Sequence, residues 1–311
     1  MKKTLVALTV SLLAVGALAG MTQTPKAGQA ALRVGGQLEA RIHGLKERTV
    51  QVGDIAYRLY EGGDVTKPAL VMLHGYSADK DVWPRFAAQF VKDYHVIVPD
   101  LAGHGETGFS PILKYDVPSQ SQRVVDLMST LGVSQFHVIG NSMGGFIAAT
   151  LAANHGQHVL SAVAFDPAGV ISPQKSPMDN MIAQGRNPFE VNSRKQFDEF
   201  YAMTMAKPPY LPQFVLSGVA QDYMNRREEL AAIYRDFHRQ DMLDGKLGQI
   251  KAPFLLIWGK KDALLDVSAV DVWKAGVPHM QVEVYDDLGH MPMLEDPART
   301  AERVNQFLKS L

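Results

Sequence analysis

Short apolar runs alternate along the chain with longer segments in which apolar residues recur every three or four positions. Six such runs occur, and most of them are continuously apolar or nearly so, which is typical of strands buried on both faces of a sheet. They lie at residues 69–73, 95–98, 136–139, 161–165, 254–258 and 280–285. Upstream, the runs 49–52 and 55–60 flank Gly53-Asp54, a two-residue turn that predicts a β-hairpin.

Helical periodicity fills the intervals between these strands. Val124, Leu127, Met128 and Leu131 share one helical face, and Gly132 follows as a stop signal. A second amphipathic pattern near the end of the chain begins at an aspartate followed by proline, a favourable helix start. The alternation predicts an α/β fold with a mostly parallel sheet and helices on both faces.

One long segment interrupts this alternation. Residues 167–250 lie between two predicted strands and are too many for a simple connection. Helical patterns at 194–205 and 216–240, together with many Met and aromatic residues, predict an inserted helical cap. These side chains are interpreted as packing the core of the cap, as forming the inner face of a lid over an apolar ligand, or as doing both. The α/β core then comprises residues 49–166 and 251–311.

The first 19 residues predict an export signal. Two lysines precede an apolar stretch that ends in Ala17-Leu18-Ala19, the small-x-small pattern that signal peptidase accepts. The alternative is an uncleaved membrane anchor over residues 4–20. The stretch is short for a transmembrane helix, which favours the signal peptide. Residues 20–48 are interpreted as a polar, Ala- and Gly-rich lead-in to the core.

Composition narrows the classes of function. The chain has 311 residues, of which 46% are apolar and 20% charged, so a large buried core is expected. A net charge of −1 gives no electrostatic reason to expect nucleic acid as a partner. The absence of cysteine excludes a disulfide scaffold, an iron–sulfur site and a cysteine nucleophile.

A candidate nucleophile lies in Gly140-Asn141-Ser142-Met143-Gly144, directly between a predicted strand and a predicted helix. Small residues two positions before and after Ser142 allow a tight turn that presents the serine oxygen. The positive end of the following helix favours negative charge developing in front of the serine. The motif alone is only suggestive, but its position between strand and helix predicts a nucleophilic serine.

Such a serine needs a base and an acid that orients the base. His290 follows the last predicted strand, and Asp262 follows the strand before it. The order Ser142, Asp262, His290 along the chain matches one known arrangement of a catalytic triad. Asp166, which follows the strand ending at Phe165, is the competing acid, and Asp262 is favoured because it follows the next-to-last strand.

Two backbone amides are predicted to bind the oxyanion of the reaction. The N–H of Met143 follows the nucleophile, and the N–H of Tyr76 lies in the loop after the predicted strand 69–73. The neighbouring side chain of His74 is expected to pack or to form hydrogen bonds within that loop.

Neither a metal nor a cofactor is expected. Residues 103–108 match the glycine spacing of a dinucleotide-binding loop, but no helix is predicted at the third glycine. A turn after a strand explains these glycines, so a nicotinamide cofactor is not predicted. The sequence also lacks a His-x-His or Glu-x-x-His cluster that would indicate a metal site.

From about residue 50 onward the chain resembles the α/β-hydrolase superfamily. Within it, the chain is most similar to bacterial lipases of the lipase 1 type from cold-living bacteria. The motifs that carry the resemblance are His74-Gly-Tyr76, Asp100-Leu-Ala-Gly-His-Gly105, Gly140-Asn-Ser-Met-Gly-Gly145, Trp258-Gly-Lys-Lys-Asp262, Gly289-His290 and, in the cap, Met205-Ala-Lys-Pro-Pro-Tyr-Leu-Pro212.

The resemblance implies a serine hydrolase that cleaves acylglycerols or short acyl esters without a cofactor. Peripheral contact with lipid surfaces is a further expectation, although this chain lacks the lipoprotein cysteine that some relatives carry. Related activities, C–C bond hydrolysis and proline iminopeptidase activity, are the closest alternatives. A non-catalytic ligand-binding member of the same fold is the alternative from another class. The sequence predicts no particular oligomeric state.

Overall fold

The computed structural model describes residues 24–311, so the predicted signal peptide or anchor lies outside the described residues. The described part contains an eight-stranded sheet in the order β1-β2-β4-β3-β5-β6-β7-β8. The first two strands pair antiparallel with each other, and β2 also pairs antiparallel with β4. All other neighbours are parallel. The strands are β1 Leu45–Val52, β2 Ile55–Gly62, β3 Ala69–Leu73, β4 His95–Pro99, β5 Phe136–Asn141, β6 Val159–Phe165, β7 Phe254–Gly259 and β8 Gln281–Tyr285.

This sheet confirms the predicted α/β class. Every residue of β3, β4 and β7 is buried, as expected for strands covered on both faces. The predicted hairpin forms around Gly53, whose φ of 55° is readily adopted by glycine. The first strand begins at Leu45, four residues before the predicted run, because β1 pairs with β2 along the full length of both strands.

Helices cover both faces of the sheet. Each face forms an apolar layer with the helices that pack on it. One layer contains Leu127 and Phe146, and the other contains Phe86 and Phe307. The helices are α1 Pro25–Ile42, α2 Pro84–Ala87, α3 Val117–Thr130, α4 Met143–Asn154, α5 Pro177–Ala183, α6 Arg194–Thr204, α7 Gln213–Asn225, α8 Arg227–Phe237, α9 Ala269–Gly276, α10 Pro292–Glu295 and α11 Pro297–Lys309.

The segment predicted as a cap, residues 167–250, contains the four helices α5 to α8. Part of its aromatic content packs internally: the rings of Phe197 and Tyr201 stack at 5.8 Å between centroids. Another part reaches the core, since the Tyr76 hydroxyl donates a hydrogen bond of 2.8 Å to the Leu230 carbonyl. The cap therefore lies over the loop that follows β3.

The segment interpreted as a lead-in contains an unpredicted helix, α1. Pro25 occupies its first turn, and the Thr24 hydroxyl accepts a hydrogen bond of 3.3 Å from the Ala27 amide. The helix packs against α7, where a Cβ atom placed on Gly28 would lie 2.0 Å from the Phe214 carbonyl oxygen. Small residues in both helices thus permit very close packing between the N-terminal segment and the cap.

No helix among residues 24–311 combines the length and apolar composition that crossing a membrane requires.

Candidate active site

The carboxyl ends of the parallel strands bring the candidate residues to one edge of the sheet. Ser142 lies between β5 and α4, with a φ of 56° and a ψ of −118°. A non-glycine residue with positive φ is uncommon, and such strain is typical of residues held in place for function. The Ser142 amide donates a hydrogen bond of 2.9 Å to the Phe165 carbonyl, which fixes the turn to the neighbouring strand.

The glycines around Ser142 are required by close backbone contacts. A Cβ atom on Gly140 would lie 2.0 Å from the Gly144 carbonyl oxygen, and one on Gly144 would lie 2.2 Å from the Leu73 carbonyl oxygen. Both distances are far below van der Waals contact, so no larger residue fits without displacing the backbone. This is the steric reason for the small-residue spacing seen in the sequence.

His290 and Asp262 form a buried hydrogen-bonded pair. The distance between His290 Nδ1 and Asp262 Oδ2 is 2.6 Å, and both residues are at most 7% exposed. The other carboxylate oxygen of Asp262 accepts hydrogen bonds from the amides of Leu264 and Leu265, at 2.7 and 3.0 Å. The carboxylate is therefore fixed by three donors, and the imidazole is held with Nδ1 toward it.

The pair leaves the second imidazole nitrogen available. The contact with Asp262 occupies His290 Nδ1, so Nε2 is the nitrogen that can act on Ser142. Both residues line the same cavity. The arrangement can therefore accept a proton at Nε2 while Asp262 stabilises the resulting imidazolium.

Asp166, the competing acid, occupies a different position. It is fully buried, its φ is 42°, and its Oδ1 accepts a hydrogen bond of 2.8 Å from the Gly259 amide. Its Oδ2 has no partner among the described residues. Burial, and then the nearby Asp262 carboxylate, raise the pKa of Asp166 well above its usual value.

Asp166, Asp262 and His290 together form a group whose carboxylate and imidazole atoms lie within 4.8 Å of one another. Ligand atoms at this spacing are compatible with the coordination of a metal ion. However, Asp262 Oδ2 is hydrogen-bonded to His290, and Asp166 Oδ1 to Gly259. The contacts are those of an oriented imidazole with a second, buried acid beside it.

The two predicted oxyanion donors lie next to Ser142. A Cβ atom on Gly75 would be 3.1 Å from the Ser142 Cβ, so the loop containing Tyr76 passes directly beside the serine. Met143 is the first residue of α4. In the described residues the amides of Tyr76 and Met143 donate to no acceptor, which leaves both available to an oxyanion.

His74 is a structural residue of this loop. It is completely buried; its Nδ1 lies 2.8 Å from the Gly75 carbonyl oxygen, and its Nε2 accepts a hydrogen bond of 3.0 Å from the Leu101 amide. The protonation state that satisfies both contacts is neutral, with the hydrogen on Nδ1. Burial lowers the pKa of His74 to about 4. The side chain thus forms one hydrogen bond within the loop, as the sequence suggested, and a second one to the segment after β4.

The glycine-rich segment after β4 forms turns. The Gly103 amide donates to the Gly108 carbonyl at 2.8 Å, and the next α-helix begins only at Val117. A dinucleotide-binding loop instead leads directly into a helix whose N-terminus binds the phosphates.

Sequence reasoning missed two polar residues that support the site. The Asn141 side chain donates hydrogen bonds to the carbonyls of His290 and Phe165, at 2.8 and 3.2 Å. The Glu295 carboxylate accepts hydrogen bonds from the amides of Gly289, at 2.9 Å, and of Ala206, at 2.9 Å. Asn141 was visible in the serine motif, whereas nothing local in the sequence indicated Glu295.

Ser142 and His290 line a mostly apolar cavity of about 350 Å³. The cap contributes aromatic side chains to one part of it, including Phe189, Phe200 and Tyr223. A cavity of this volume and lining suits a small molecule with a substantial apolar portion.

Comparisons with known proteins identify the family of the chain. A family model described as "alpha/beta hydrolase fold" matches residues 68–297, so the chain belongs to the α/β-hydrolase family. Lipase 1 of Psychrobacter immobilis is 33% identical over 267 residues, which cover 85% of this chain and 83% of that protein. Monoacylglycerol lipase abhd6-B of Xenopus laevis is 29% identical over 257 residues, covering 79% of this chain and 76% of that one.

A solved structure of a membrane phospholipase A, described as a bacterial virulence factor, is similar over the whole chain. It has a TM-score of 0.87 and 35% sequence identity, and it covers 100% of this chain and 99% of that one. The match extends beyond the α/β core and includes the segments that form α1 and the cap.

Proposed function

We propose that this protein is a serine carboxylic ester hydrolase that cleaves acyl esters, with lipids such as acylglycerols as its substrate class. The observation that carries the proposal is the buried His290–Asp262 pair, at 2.6 Å, because its His290 lines the same cavity as the strained Ser142. The names of the similar proteins support it, since lipase, monoacylglycerol lipase and phospholipase A all denote cleavage of an acyl ester.

In the proposed mechanism, His290 Nε2 takes the proton of Ser142 as its oxygen attacks the ester carbonyl. Asp262 holds the imidazole in the productive tautomer and stabilises its cation. The amides of Tyr76 and Met143 bind the developing oxyanion. The alcohol leaves with the proton from His290, and water then releases the fatty acid from the acyl-enzyme.

Hydrolysis of p-nitrophenyl esters from acetate to palmitate tests this function, with Ser142→Ala as the control. Activity that extends to the long chains and falls by at least about three orders of magnitude in the variant is the expected result. Full turnover by Ser142→Ala would overturn the assignment of the nucleophile. Activity on amides or C–C bonds, with none on esters, would overturn the proposed substrate class.

We further propose that the protein is exported and acts at lipid surfaces as a peripheral protein. The two lysines, the apolar stretch and Ala17-Leu18-Ala19 support an export signal, and an acyl ester substrate would be present at such surfaces. Mass spectrometry of the protein recovered from a bacterial host tests the signal, with a new N-terminus at Gly20 expected. An intact N-terminus in the membrane fraction would instead favour the anchor.

A further inference from the structure

Helix α1 contributes one wall of the cavity that contains Ser142. The residues concerned recur every three or four positions and so share one face of the helix. They are Ala31, Leu32, Gly35, Gly36 and Glu39. A segment outside the α/β core thus reaches the site where the ester would bind.

The wall is held at two points about 16 Å apart, given the rise of 1.5 Å per helical residue. Near its start, Gly28 packs against α7, with its Cβ position 3.2 Å from the Gly218 Cα. Near its end, Glu39 forms an ion pair with Arg85 of α2. Contacts with the cap and with the core therefore fix the position of the helix along this face.

Gly35 differs from Gly28 and Gly36 in the space available for a side chain. A Cβ atom on Gly35 would meet no atom within 4 Å, whereas one on Gly36 would lie 2.8 Å from the Asp81 carboxylate. Because Gly35 lines the cavity, a side chain at this position would enter open space there instead of displacing protein atoms.

The two parts of the cavity differ in chemistry. On the cap side, aromatic rings contact one another in series, with 5.0 Å between Tyr76 and Phe189 and 5.1 Å between Phe189 and Phe200. On the side of α1, the cavity is lined by ionisable groups, among them the ion pair of Glu39 with Arg85 and the Asp81 carboxyl. A lipid ester has the same division, with an apolar acyl chain on one side of the ester bond and a polar alcohol on the other.

We propose that the cavity-lining face of α1 forms the binding site for the alcohol portion of the ester, and that the missing side chain at Gly35 sets how bulky this alcohol can be. The proposal rests on the ester hydrolase function proposed above. It assigns the polyol or headgroup part of a lipid to the charged side of the cavity and the acyl chain to the aromatic side.

A pair of substrates with one acyl chain and two alcohols tests this assignment: methyl decanoate and monodecanoylglycerol. In Gly35→Leu, we expect kcat/KM for the glycerol ester to fall about ten-fold, with less than a two-fold change for the methyl ester. The control is Val34→Leu, since Val34 is 48% exposed and lies outside the cavity lining. It should leave both rates unchanged.

Equal losses on both substrates, or none, would overturn the proposal, as would a shorter preferred acyl chain among methyl esters. Should Gly35→Leu not fold, Gly35→Ala adds a smaller group at the same position, and a lesser but still selective loss is expected. Hydrolysis of methyl decanoate by the unaltered protein distinguishes failure of the proposed ester hydrolase function from failure of the proposed role of α1. Without that activity the ester hydrolase function itself fails, whereas with it only the role of α1 is in question.

Discussion

The Asn141 side-chain amide donates a hydrogen bond of 2.8 Å to the backbone carbonyl of His290, although the two residues are 149 positions apart in the chain. The same amide donates to the Phe165 carbonyl at 3.2 Å. Asn141 directly precedes Ser142, so the residue next to the proposed nucleophile also holds the loop of the proposed base. A single buried side chain therefore links the backbone of the proposed base to the strand end that presents the proposed nucleophile.

Replacing Asn141 by Leu is expected to lower kcat for ester hydrolysis by about ten- to a hundred-fold, with little change in KM. The substitution keeps the number and branching of the side-chain heavy atoms but removes both N–H donors, so the buried His290 carbonyl loses its partner and its loop shifts. Steady-state kinetics on a short p-nitrophenyl ester measure this effect. An unchanged kcat in a folded variant would show that the hydrogen bond does not position His290.

Glu295 connects the loop of His290 with the cap. Its carboxylate accepts from the amides of Gly289 and Met291 on one side and from those of Ala206 and Lys207 on the other. Because all four groups are donors, a glutamine, whose amide nitrogen is also a donor, cannot replace the carboxylate without a repulsive contact.

Glu295→Gln is accordingly expected to lower both kcat and thermal stability, the latter by about 1–3 kcal/mol. Glu302→Gln is the matched control, since Glu302 is exposed on the following helix α11 and should be neutral. Calorimetry and kinetics on the same preparations measure the two effects. Equal stability and activity in both variants would argue against a role for Glu295 in joining the loop to the cap.

Asp262 and Asp166 are expected to respond differently to the same substitution. Asp262→Asn removes the charge that stabilises the His290 cation, so kcat should fall by about three to four orders of magnitude. Burial and the neighbouring Asp262 carboxylate raise the pKa of Asp166, which favours its neutral form, and Asn is a neutral mimic that can still accept from Gly259. Asp166→Asn should therefore retain activity within about ten-fold. A larger loss from Asp166→Asn than from Asp262→Asn would make Asp166 the triad acid.

The elements that sequence alone could predict are those with local signals. The buried strands are continuous apolar runs, and Ser142 lies between a strand and a helix, so both follow from short stretches of sequence. Asp262 and His290 were predicted from their places after the last two strands, because parallel strands bring their carboxyl ends to one edge. The structure places these two residues 2.6 Å apart, measured between their side-chain atoms.

The parts that sequence could not predict depend on distant contacts. The close packing of helix α1 comes from pairing Gly28 with Gly218 nearly two hundred positions later, which no local pattern in the sequence indicates. The support by Glu295 is equally non-local, since its partners are backbone amides, which have no signature in the sequence. Tertiary packing, which no local pattern encodes, determines both features.

The stability of the protein is expected to fall on acidification because of His74. In the folded protein its pKa is lowered from 6.5 to about 4 by burial, so His74 stays neutral where the unfolded chain would bind a proton. Unfolding therefore takes up a proton between these two values. The stabilisation is complete above pH 6.5 and is lost as the pH falls toward 4, by roughly 3 kcal/mol for this residue.

Urea unfolding of the unaltered protein, His74→Asn and His279→Asn near pH 7 and near pH 5 tests this effect. His74→Asn should be less stable near pH 7, because the Leu101 amide loses its acceptor, but it should lose less stability between the two pH values. His279 is exposed, so its variant should keep the pH dependence of the unaltered protein. Burial also lowers the pKa of His137 and His238 to about 4 and that of His104, whose ring contacts His74, well below its usual value, so some dependence should remain in every variant. If His74→Asn shows the full dependence of the unaltered protein, His74 is already protonated in the folded state, and its neutral role in the loop beside Ser142 is wrong.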